Sequence, residues 1–292
     1  MSTKSVPQRA AWRWTLSAST AIGRVGARHR VLPNFLIIGG QRCGTTSVAS
    51  SLKEHPNIMF PRLAKGVHYF DTAFDRPPLW YRSHFPTGRA RSKRAAGLGG
   101  SVAVGEASPY YLFHPAVPGR IAATIPDVRV IAILRDPVKR AWSQYHHECT
   151  KGFENLDFEK AIACEEDRLS GAAAHLMTDP SAESLDHQHH SYVARGRYAE
   201  QLTRYFDVLG RDRVHVLFSE ELFTEPTKSL DAIQQFLGIP NSALTLTREN
   251  PSDSERMTSS AEAELRIRFA DADAALIELL GRSLPWPTAA LG

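Results

Sequence analysis

The sequence predicts an α/β fold, a single three-layer domain in which helices flank a mostly parallel sheet. Short apolar runs rich in β-branched residues alternate along the chain with longer segments of helical periodicity. The chain has 292 residues and is 42% hydrophobic, which is enough for the core of one large α/β domain. Strands that alternate with helices favour parallel pairing, because each crossover helix returns the chain to the same end of the sheet.

The predicted elements can be placed from residue 34 onward. Strands are predicted at Phe35–Ile38, Val102–Val104, Val128–Leu134 and Val214–Phe218. Helices are predicted at Ser47–His55, Ala116–Ile125, Pro137–Cys149, Phe158–Leu169, Val193–Leu209 and Thr227–Leu237. Two polar or glycine-rich stretches, Arg89–Gly100 and Ser170–Ser191, are predicted to be exposed loops, and the second could act as a lid over an acceptor.

The first 33 residues differ in composition from the rest of the chain. They contain no Asp or Glu but six cations, at Lys4, Arg9, Arg13, Arg24, Arg28 and Arg30. We predict that residues 1–33 form a poorly ordered basic leader and that residues 34–292 form the domain. A basic amphipathic helix on a membrane surface, using Trp12, Trp14 and Leu16, is the alternative.

Compartment can also be inferred from the composition. No apolar run is long enough to span a bilayer. The N-terminal residues also lack an apolar stretch of the length that a secretory signal peptide requires. The three cysteines are too few and too scattered for a disulfide framework or a zinc site. We therefore expect a cytoplasmic protein, with peripheral membrane contact through its basic N-terminus as the further option.

The stretch Phe35 to Ser47, FLIIGGQRCGTTS, predicts an anion site. An apolar strand leads through a glycine-bearing turn into a helix, whose first N–H groups would point at a ligand. The turn is P-loop-like, since Gly39 and Gly44 have the spacing of G-x-x-x-x-G-K-[ST]. Thr45 stands where that motif has its lysine, so nucleoside triphosphate hydrolysis is not favoured. The nearby cation is Arg42.

A second anion site is predicted within Val128 to Tyr145, VRVIAILRDPVKRAWSQY. Arg135 follows the strand, and Ser143 lies about two turns into the next helix. A guanidinium offers several donors in a rigid fork that suits a phosphate, and the serine hydroxyl can add one more. The alternative is that Arg135 caps the helix or pairs with Asp136.

Together these motifs resemble those of the sulfotransferases that use 3′-phosphoadenosine 5′-phosphosulfate (PAPS). The 5′-phosphosulfate loop of that family, (K/R)-x-G-T-T, is matched by Arg42, Cys43, Gly44, Thr45 and Thr46. Its 3′-phosphate site, R-x-P…R-A-x-S-x-Y, is matched by Arg135, Pro137, Arg140, Ala141, Ser143 and Tyr145. The resemblance covers most of residues 33 to 286 and is strongest to carbohydrate, glycosaminoglycan-type and bacterial members. The resemblance implies that residues 42–46, together with Arg135 and Ser143, bind PAPS.

The acceptor-side motifs are similar to the family's but depart from it. KGVHYFD, residues 65–71, resembles K-E-x-H-F-F, and GEASPYYLF, residues 105–113, resembles GE-K-(S/T)-x-x-Y-F. Gly66 stands where the family has its usual base, a glutamate, and Ala107 replaces a lysine.

The candidate catalytic residues follow from this resemblance and from strand geometry. His68 would point to the same side as position 66 in an extended segment, so it is the first candidate for the base, with Glu106 the second. Lys65 and Arg42 are candidates to stabilise the sulfonate and the phosphosulfate. A structural His68 and a surface Lys65 are the alternatives.

We therefore expect a sulfotransferase that moves a sulfonate from PAPS to a hydroxyl or amine, with a glycan or glycolipid favoured over other small molecules. A P-loop nucleotide kinase or phosphotransferase, and a catalytically inactive PAPS-binding scaffold, are the alternatives. We expect no metal, since the phosphosulfate anhydride is already activated and the clustered histidines of residues 187–190 fall in a predicted solvated loop. Nucleic acid is not expected, because the basic stretch RARSKR has no interleaved aromatic residues.

Overall fold

The computed structural model describes residues 26–61, 65–247, 249 and 257–289. Its sheet contains five parallel strands in the order β2-β3-β1-β4-β5. The strands are β1 Phe35–Gly39, β2 Ile58–Met59, β3 Ala103–Ala107, β4 Arg129–Leu134 and β5 Val214–Phe218. The predicted α/β class and parallel sheet are confirmed, and β2 is a short edge strand that the sequence did not predict.

Helices connect and cover these strands. In chain order they are α1 Thr45–Lys53, α2 Tyr69–Thr72, α3 Pro78–Arg82, α4 Gly88–Leu98, α5 Val117–Thr124, α6 Pro137–Thr150, α7 Phe158–Ala163, α8 Glu165–Leu169, α9 Ala172–Thr178, α10 Leu185–His189, α11 Tyr198–Leu209, α12 Ser219–Thr224, α13 Pro226–Leu237 and α14 Ser259–Leu280. Three-residue 3₁₀ turns lie at Ala27–His29, Ala194–Gly196 and Arg211–Arg213.

Strand β1 lies in the middle of the sheet and is buried on both faces. Leu36 and Ile38 pack on the side of α5 and α11, whereas Phe35 and Ile37 pack on the side of α1 and α13. Because successive strand residues point to opposite faces, both faces of an apolar strand are covered only when helices flank the sheet on each side. This arrangement gives three layers, with the carboxyl ends of the strands at one edge.

The segment predicted as a basic loop, Arg89–Gly100, is in fact helix α4. Thr87 caps it by accepting a hydrogen bond from the Ala90 N–H at 3.2 Å, and Gly99 ends it with a left-handed φ of 66°. Alanine, arginine and lysine are strong helix formers, and here they outweigh the glycine content on which the loop prediction rested. No residue of α4 is buried.

The predicted solvated loop, Ser170–Ser191, contains the two short helices α9 and α10. His187 is buried, its Nδ1 lies 2.7 Å from the Tyr110 hydroxyl, and its ring stacks on Phe113. His189 and His190 contact carboxylates of Glu148 and Asp186. The loop prediction was therefore wrong where α9 and α10 form and at buried His187, whereas most of residues 170–186 are exposed as predicted. Among the described residues, no group of three or more His, Cys, Asp or Glu side chains could hold a metal ion.

Residues 26–33, just ahead of the predicted boundary at residue 34, contact the rest of the structure. Ala27 is buried, and the Val31 N–H donates to the Pro86 carbonyl at 3.0 Å, so residues 26–33 pack on the domain. The predicted leader otherwise lies outside the described residues, in residues 1–25. Among the helices described, none combines the length and apolar character that a membrane crossing requires.

Candidate active site

A cleft of about 820 Å³ opens at the carboxyl ends of the strands. Open parallel sheets bind ligands at this edge, since loops and helix N-termini converge there. Most of the predicted site residues line the cleft, namely Arg42, Gly44, Thr45, Thr46, Lys65, His68, Arg135 and Ser143. Cys43 and Glu106 do not line it.

The glycine turn after β1 presents the start of helix α1 to the cleft. Gly44 precedes that helix with a φ of 91°, a conformation that favours glycine. Thr45 and Thr46 are the first two helical residues, so their N–H groups have no carbonyl partner within the helix. Together with the helix dipole, these groups favour a bound anion.

Lys65 joins this helix start from another part of the chain. Its Nζ donates to Thr46 Oγ1 at 2.8 Å and to Thr45 Oγ1 at 3.2 Å. Burial, and secondarily the charge of Lys53, lower the pKa of Lys65 to about 8. An anion bound here would return that pKa towards its usual value, because it would stabilise the ammonium form.

Arg42 lies between the two predicted anion sites. It has a left-handed φ of 67°, and its Nε donates to Ser143 Oγ at 3.0 Å. Arg135 Nη1 donates to the Arg42 carbonyl at 3.1 Å. Burial and the neighbouring Arg135 charge lower the pKa of Arg42. The crowding of two guanidinium groups indicates a place built for a polyanion.

Cys43 has a structural role. It is fully buried, and burial raises the pKa of its thiol to about 11. Its N–H donates to the Gly40 carbonyl at 3.3 Å. The structure therefore does not support the prediction that Cys43 binds the cofactor, because both groups are turned into the protein.

The Arg135 side chain is available to a ligand because the next residue, Asp136, caps helix α6. Asp136 accepts from the Val138 N–H at 3.0 Å at the start of helix α6. The same carboxylate receives both terminal nitrogens of Arg266, at 2.8 and 2.5 Å. The alternative that Arg135 caps the helix or pairs with Asp136 is thus not what the structure shows.

His68 forms a pair with Asp71 at the cleft. It adopts a left-handed φ of 55° just before helix α2, and its Nδ1 lies 2.7 Å from Asp71 Oδ2. Burial alone would lower the pKa of His68, but the buried Asp71 carboxylate outweighs burial and the pKa is raised. Asp71 was missed, although it stands three residues after His68 in the quoted segment, at the spacing of neighbours on one helical turn.

Glu106 lies behind the cleft, where it fastens the segment that carries His68. It is 0% exposed and accepts from the hydroxyls of Tyr81, Ser108 and Tyr111 at 2.8 to 3.0 Å, and from the Val67 N–H. Burial raises its pKa. Because four donors surround it and no solvent reaches it, the structure does not support Glu106 as the second candidate for the base.

Gly66 packs directly against strand β3. A Cβ at this position would lie 2.3 Å from the Ala107 carbonyl oxygen and 2.6 Å from Ser108 Oγ. Contacts that short do not occur in folded proteins, so no larger side chain fits without moving the backbone. Position 66 therefore has no room for the glutamate that the family motif carries there.

A hydrogen-bond network that the sequence did not predict holds the glycine turn after β1 in place. Buried Arg195 donates to the Gln41 side-chain oxygen, and Gln41 Nε2 donates to Glu148 Oε1 at 3.2 Å. Glu148 also contacts His189 Nδ1 at 2.9 Å. Gln41 lies in the turn after β1, Glu148 in α6, His189 in α10 and Arg195 in the 3₁₀ turn Ala194–Gly196, so no local motif in the sequence brings them together.

Comparison with known proteins places the chain in a family. Residues 32–262 match the sulfotransferase domain family, so the chain belongs to that family. A sulfotransferase of known structure from Alicyclobacillus acidocaldarius is 32% identical with a TM-score of 0.65, and the match covers 87% of this chain and 98% of that one. The predicted recognition is confirmed, and these matches give no support to the kinase alternative.

Curated relatives are more distant and longer. The membrane-associated sulfotransferase kil1 of Dictyostelium discoideum is 23% identical over 87% of this chain and 66% of its own length. The human heparan sulfate glucosamine 3-O-sulfotransferase 3B1 is 27% identical over 73% of this chain and 48% of its own length. The chain thus spans less than two thirds of each of these relatives.

Proposed function

We propose that this protein transfers a sulfonate from PAPS to a hydroxyl or amine of an acceptor. The observation that carries the proposal is a single cleft in which three groups meet: the Thr45–Thr46 helix start with Lys65, the Arg42–Arg135–Ser143 cluster, and the His68–Asp71 pair. PAPS has two separated phosphate groups, and the cleft offers two separated sets of donors.

The residues present fit this co-substrate. The N–H groups of Thr45 and Thr46, with Lys65 and Arg42, would hold the 5′-phosphosulfate. Arg135 and Ser143 would hold the 3′-phosphate. Arg42 contacts Ser143 now, and its position between the two sites allows it to turn to the phosphosulfate when both are filled.

Transfer of a sulfonate builds negative charge on the leaving nucleotide oxygen. Fixed donors in a partly buried cleft stabilise such charge more than water does, because they need no reorganisation during the reaction. We assign this role to Lys65 and Arg42. Both cations have pKa values lowered by burial, so each gains from an anion placed beside it.

The base is assigned to His68. When Nδ1 donates to Asp71, Nε2 becomes the nitrogen that accepts a proton from the acceptor. Asp71 fixes the tautomer and stabilises the imidazolium that forms. Glu106 is assigned a supporting role, since it holds the Val67 N–H and thereby the turn that carries His68.

A glycan or glycolipid is the favoured acceptor class. The support is the likeness to relatives named as heparan sulfate sulfotransferases, which act on a sugar polymer. We further propose a cytoplasmic or membrane-peripheral enzyme, with contact through the basic N-terminal residues. Free thiols at all three cysteines agree with a reducing compartment, and one relative is named as membrane-associated.

The experiment is to label an extract of the source organism with radioactive PAPS and the purified protein, and to identify the labelled product. Arg42→Ala should remove most labelling without unfolding the protein. Arg42→Lys should retain more labelling than Arg42→Ala, because a positive charge at the phosphosulfate matters more than the forked geometry of the guanidinium. A thermal-shift comparison should show stabilisation by PAP, the 3′-phosphoadenosine 5′-phosphate product, but not by ATP. Binding of PAP without any transfer would identify an inactive scaffold, and stabilisation by ATP alone would overturn the nucleotide assignment.

A further inference from the structure

Charge is distributed very unevenly along this chain. Residues 1–34 and 76–105 together hold twelve Lys and Arg and no Asp or Glu. The rest of the chain holds twenty-three Lys and Arg and thirty-one Asp and Glu. The small net charge of +4 therefore conceals a basic part and an acidic part.

The two acid-free segments meet on one surface. Arg30 pairs with Thr87 in an isolated bridge, the Val31 N–H donates to the Pro86 carbonyl, and Arg30 Nη1 donates to the Phe85 carbonyl at 2.6 Å. Helix α4 begins at this contact. We call the surface formed by residues 26–30 and α4 the basic face.

The basic face is open to solvent. Arg28, Arg89 and Lys93 are exposed, and the last two lie one turn apart on the outer side of α4. A helix with cations on its outer side and no acid is suited to a surface of anionic headgroups.

The position of α4 fixes its direction relative to the cleft. Arg91 Nε donates to the Val102 carbonyl, and Arg94 Nε donates to the Pro56 carbonyl. Val102 directly precedes strand β3 and Pro56 lies two residues before strand β2, so α4 is tied to the amino ends of these strands. The cleft lies at the carboxyl ends, on the opposite edge.

We propose that the basic face docks the protein on a membrane surface containing anionic lipids, with the cleft turned away from that membrane. The sequence ahead of Gly26 adds to the same attraction, because it carries Lys4, Arg9, Arg13 and Arg24 and no acid. An enzyme held in this way meets acceptors that reach it from the aqueous side, so of the two acceptor classes proposed above this orientation favours a glycan over a glycolipid of the same membrane. The proposal concerns a surface remote from the cleft and does not depend on the reaction catalysed there.

Vesicle sedimentation of the full chain tests this. The protein should bind vesicles of phosphatidylcholine mixed with phosphatidylserine, should not bind phosphatidylcholine alone, and should be released by salt. Each basic side chain near an anionic surface contributes about fivefold in binding, so Arg89→Gln with Lys93→Gln should weaken binding roughly twenty-five-fold. Lys160→Gln with Lys228→Gln removes the same charge from exposed lysines elsewhere and should change binding little.

Several results would overturn the proposal: no binding to anionic vesicles, equal loss in both double variants, or no loss in the Arg89/Lys93 variant. Tighter binding to duplex DNA than to the vesicles, lost in the same variant, would assign the face to nucleic acid instead. PAP affinity should be the same with and without saturating vesicles and in both double variants. A fall in PAP affinity on vesicle binding would refute the orientation, whereas failure of sulfonate transfer alone would leave the docking result unaffected.

Discussion

The two walls of the cleft are built in different ways. The side proposed to bind PAPS, here called the cofactor wall, consists of Arg42, Thr45, Thr46, Arg135 and Ser143. Its residues lie in the turn after β1, directly after β4, or in the first two turns of α1 and α6. The side proposed to face the acceptor, here called the acceptor wall, is the segment 65–71, an irregular stretch that leads into the short helix α2. Contacts from the end of strand β3 and from helix α3 hold it in place. One wall depends on local geometry, and the other depends on contacts between distant parts of the chain.

This difference explains where the chain follows its family and where it departs from it. A strand, a glycine turn and a helix start are suited to an anion through local geometry alone, and in the cofactor wall the residues of the family motif are present. The acceptor wall departs from the family motif at Gly66 and Ala107, where position 66 lies against β3 and buried Glu106 accepts from the Val67 N–H. If the two walls act separately, a change in one should leave the function of the other intact.

The largest effect is expected for His68→Ala. Loss of a general base should lower the turnover rate at saturating PAPS by about 10²–10⁴-fold, because proton removal from the acceptor would lose its catalyst. PAP affinity, measured by calorimetry, should stay nearly unchanged, since the cofactor wall is intact. An unchanged turnover rate in this variant would return His68 to a purely structural role.

Asp71→Asn should sharpen the assignment through pH. Only neutral His68 can accept a proton, so the rate falls as pH falls through its pKa. Asp71 raises that pKa, so the wild-type acid limb should have its midpoint above the ordinary histidine value of about 6.5. The limb should move to lower pH in Asp71→Asn, and a limb that does not move would contradict the pairing.

Gly66→Ala is expected to destabilise the protein. The added methyl group would meet the Ala107 carbonyl and force the acceptor wall away from β3, which should lower the free energy of unfolding by about 1–3 kcal/mol. Gly97→Ala is the matched control, because the site is helical and, apart from the backbone of its own helix, no described atom lies within 4 Å of a Cβ there. Denaturant unfolding should show the control to be neutral or slightly stabilising. An equal change in the free energy of unfolding in the two variants would contradict a close contact between position 66 and the Ala107 carbonyl.

Arg135→Ala, a change in the cofactor wall, is expected to weaken the binding of PAP. Charge-assisted hydrogen bonds contribute about 1.5–3 kcal/mol, so Arg135→Ala should weaken PAP binding about tenfold to a hundredfold. Binding of AMP, which lacks the 3′-phosphate, should change little. Lys139→Ala removes a cation from the same helix, but that side chain is 60% exposed, so its loss should matter less. Calorimetry that shows equal losses for PAP and AMP would exclude the assigned role.

Much of the cofactor wall could be predicted from the sequence for a physical reason. Phe35–Ile38 is apolar throughout because it is buried on both faces, and the glycine turn after it is short enough to be recognised. The orientation of Cys43 could not be predicted, since a one-residue difference in a turn decides whether a side chain faces the cleft or the core.

The acceptor wall and the helical periphery were harder to predict. Glu106 looked like a base because it ends a strand beside the cleft, and only the tertiary structure reveals Tyr81, twenty-five positions away, donating to it. Helix α14 was missed because its buried residues, Ala261, Leu265, Phe269, Asp273 and Leu276, include one acid and one small side chain. That acid is paired with Trp286 Nε1 at 3.3 Å, a contact that composition cannot show.

The smallest effect tests the link between the walls, because Lys65 belongs to the acceptor segment but donates to the helix start of the cofactor wall. Its pKa of about 8 means that near pH 8 roughly half of the free protein lacks this charge. Bound phosphate should restore the charge, so PAP binding at pH 8 should take up about half a proton and weaken as pH rises further. The phosphates of PAP are already ionised at that pH and contribute little to the uptake. Calorimetry in buffers of different ionisation enthalpy measures it. Lys65→Arg keeps the charge but cannot titrate, so its uptake should vanish, and an unchanged uptake would assign the proton to another group.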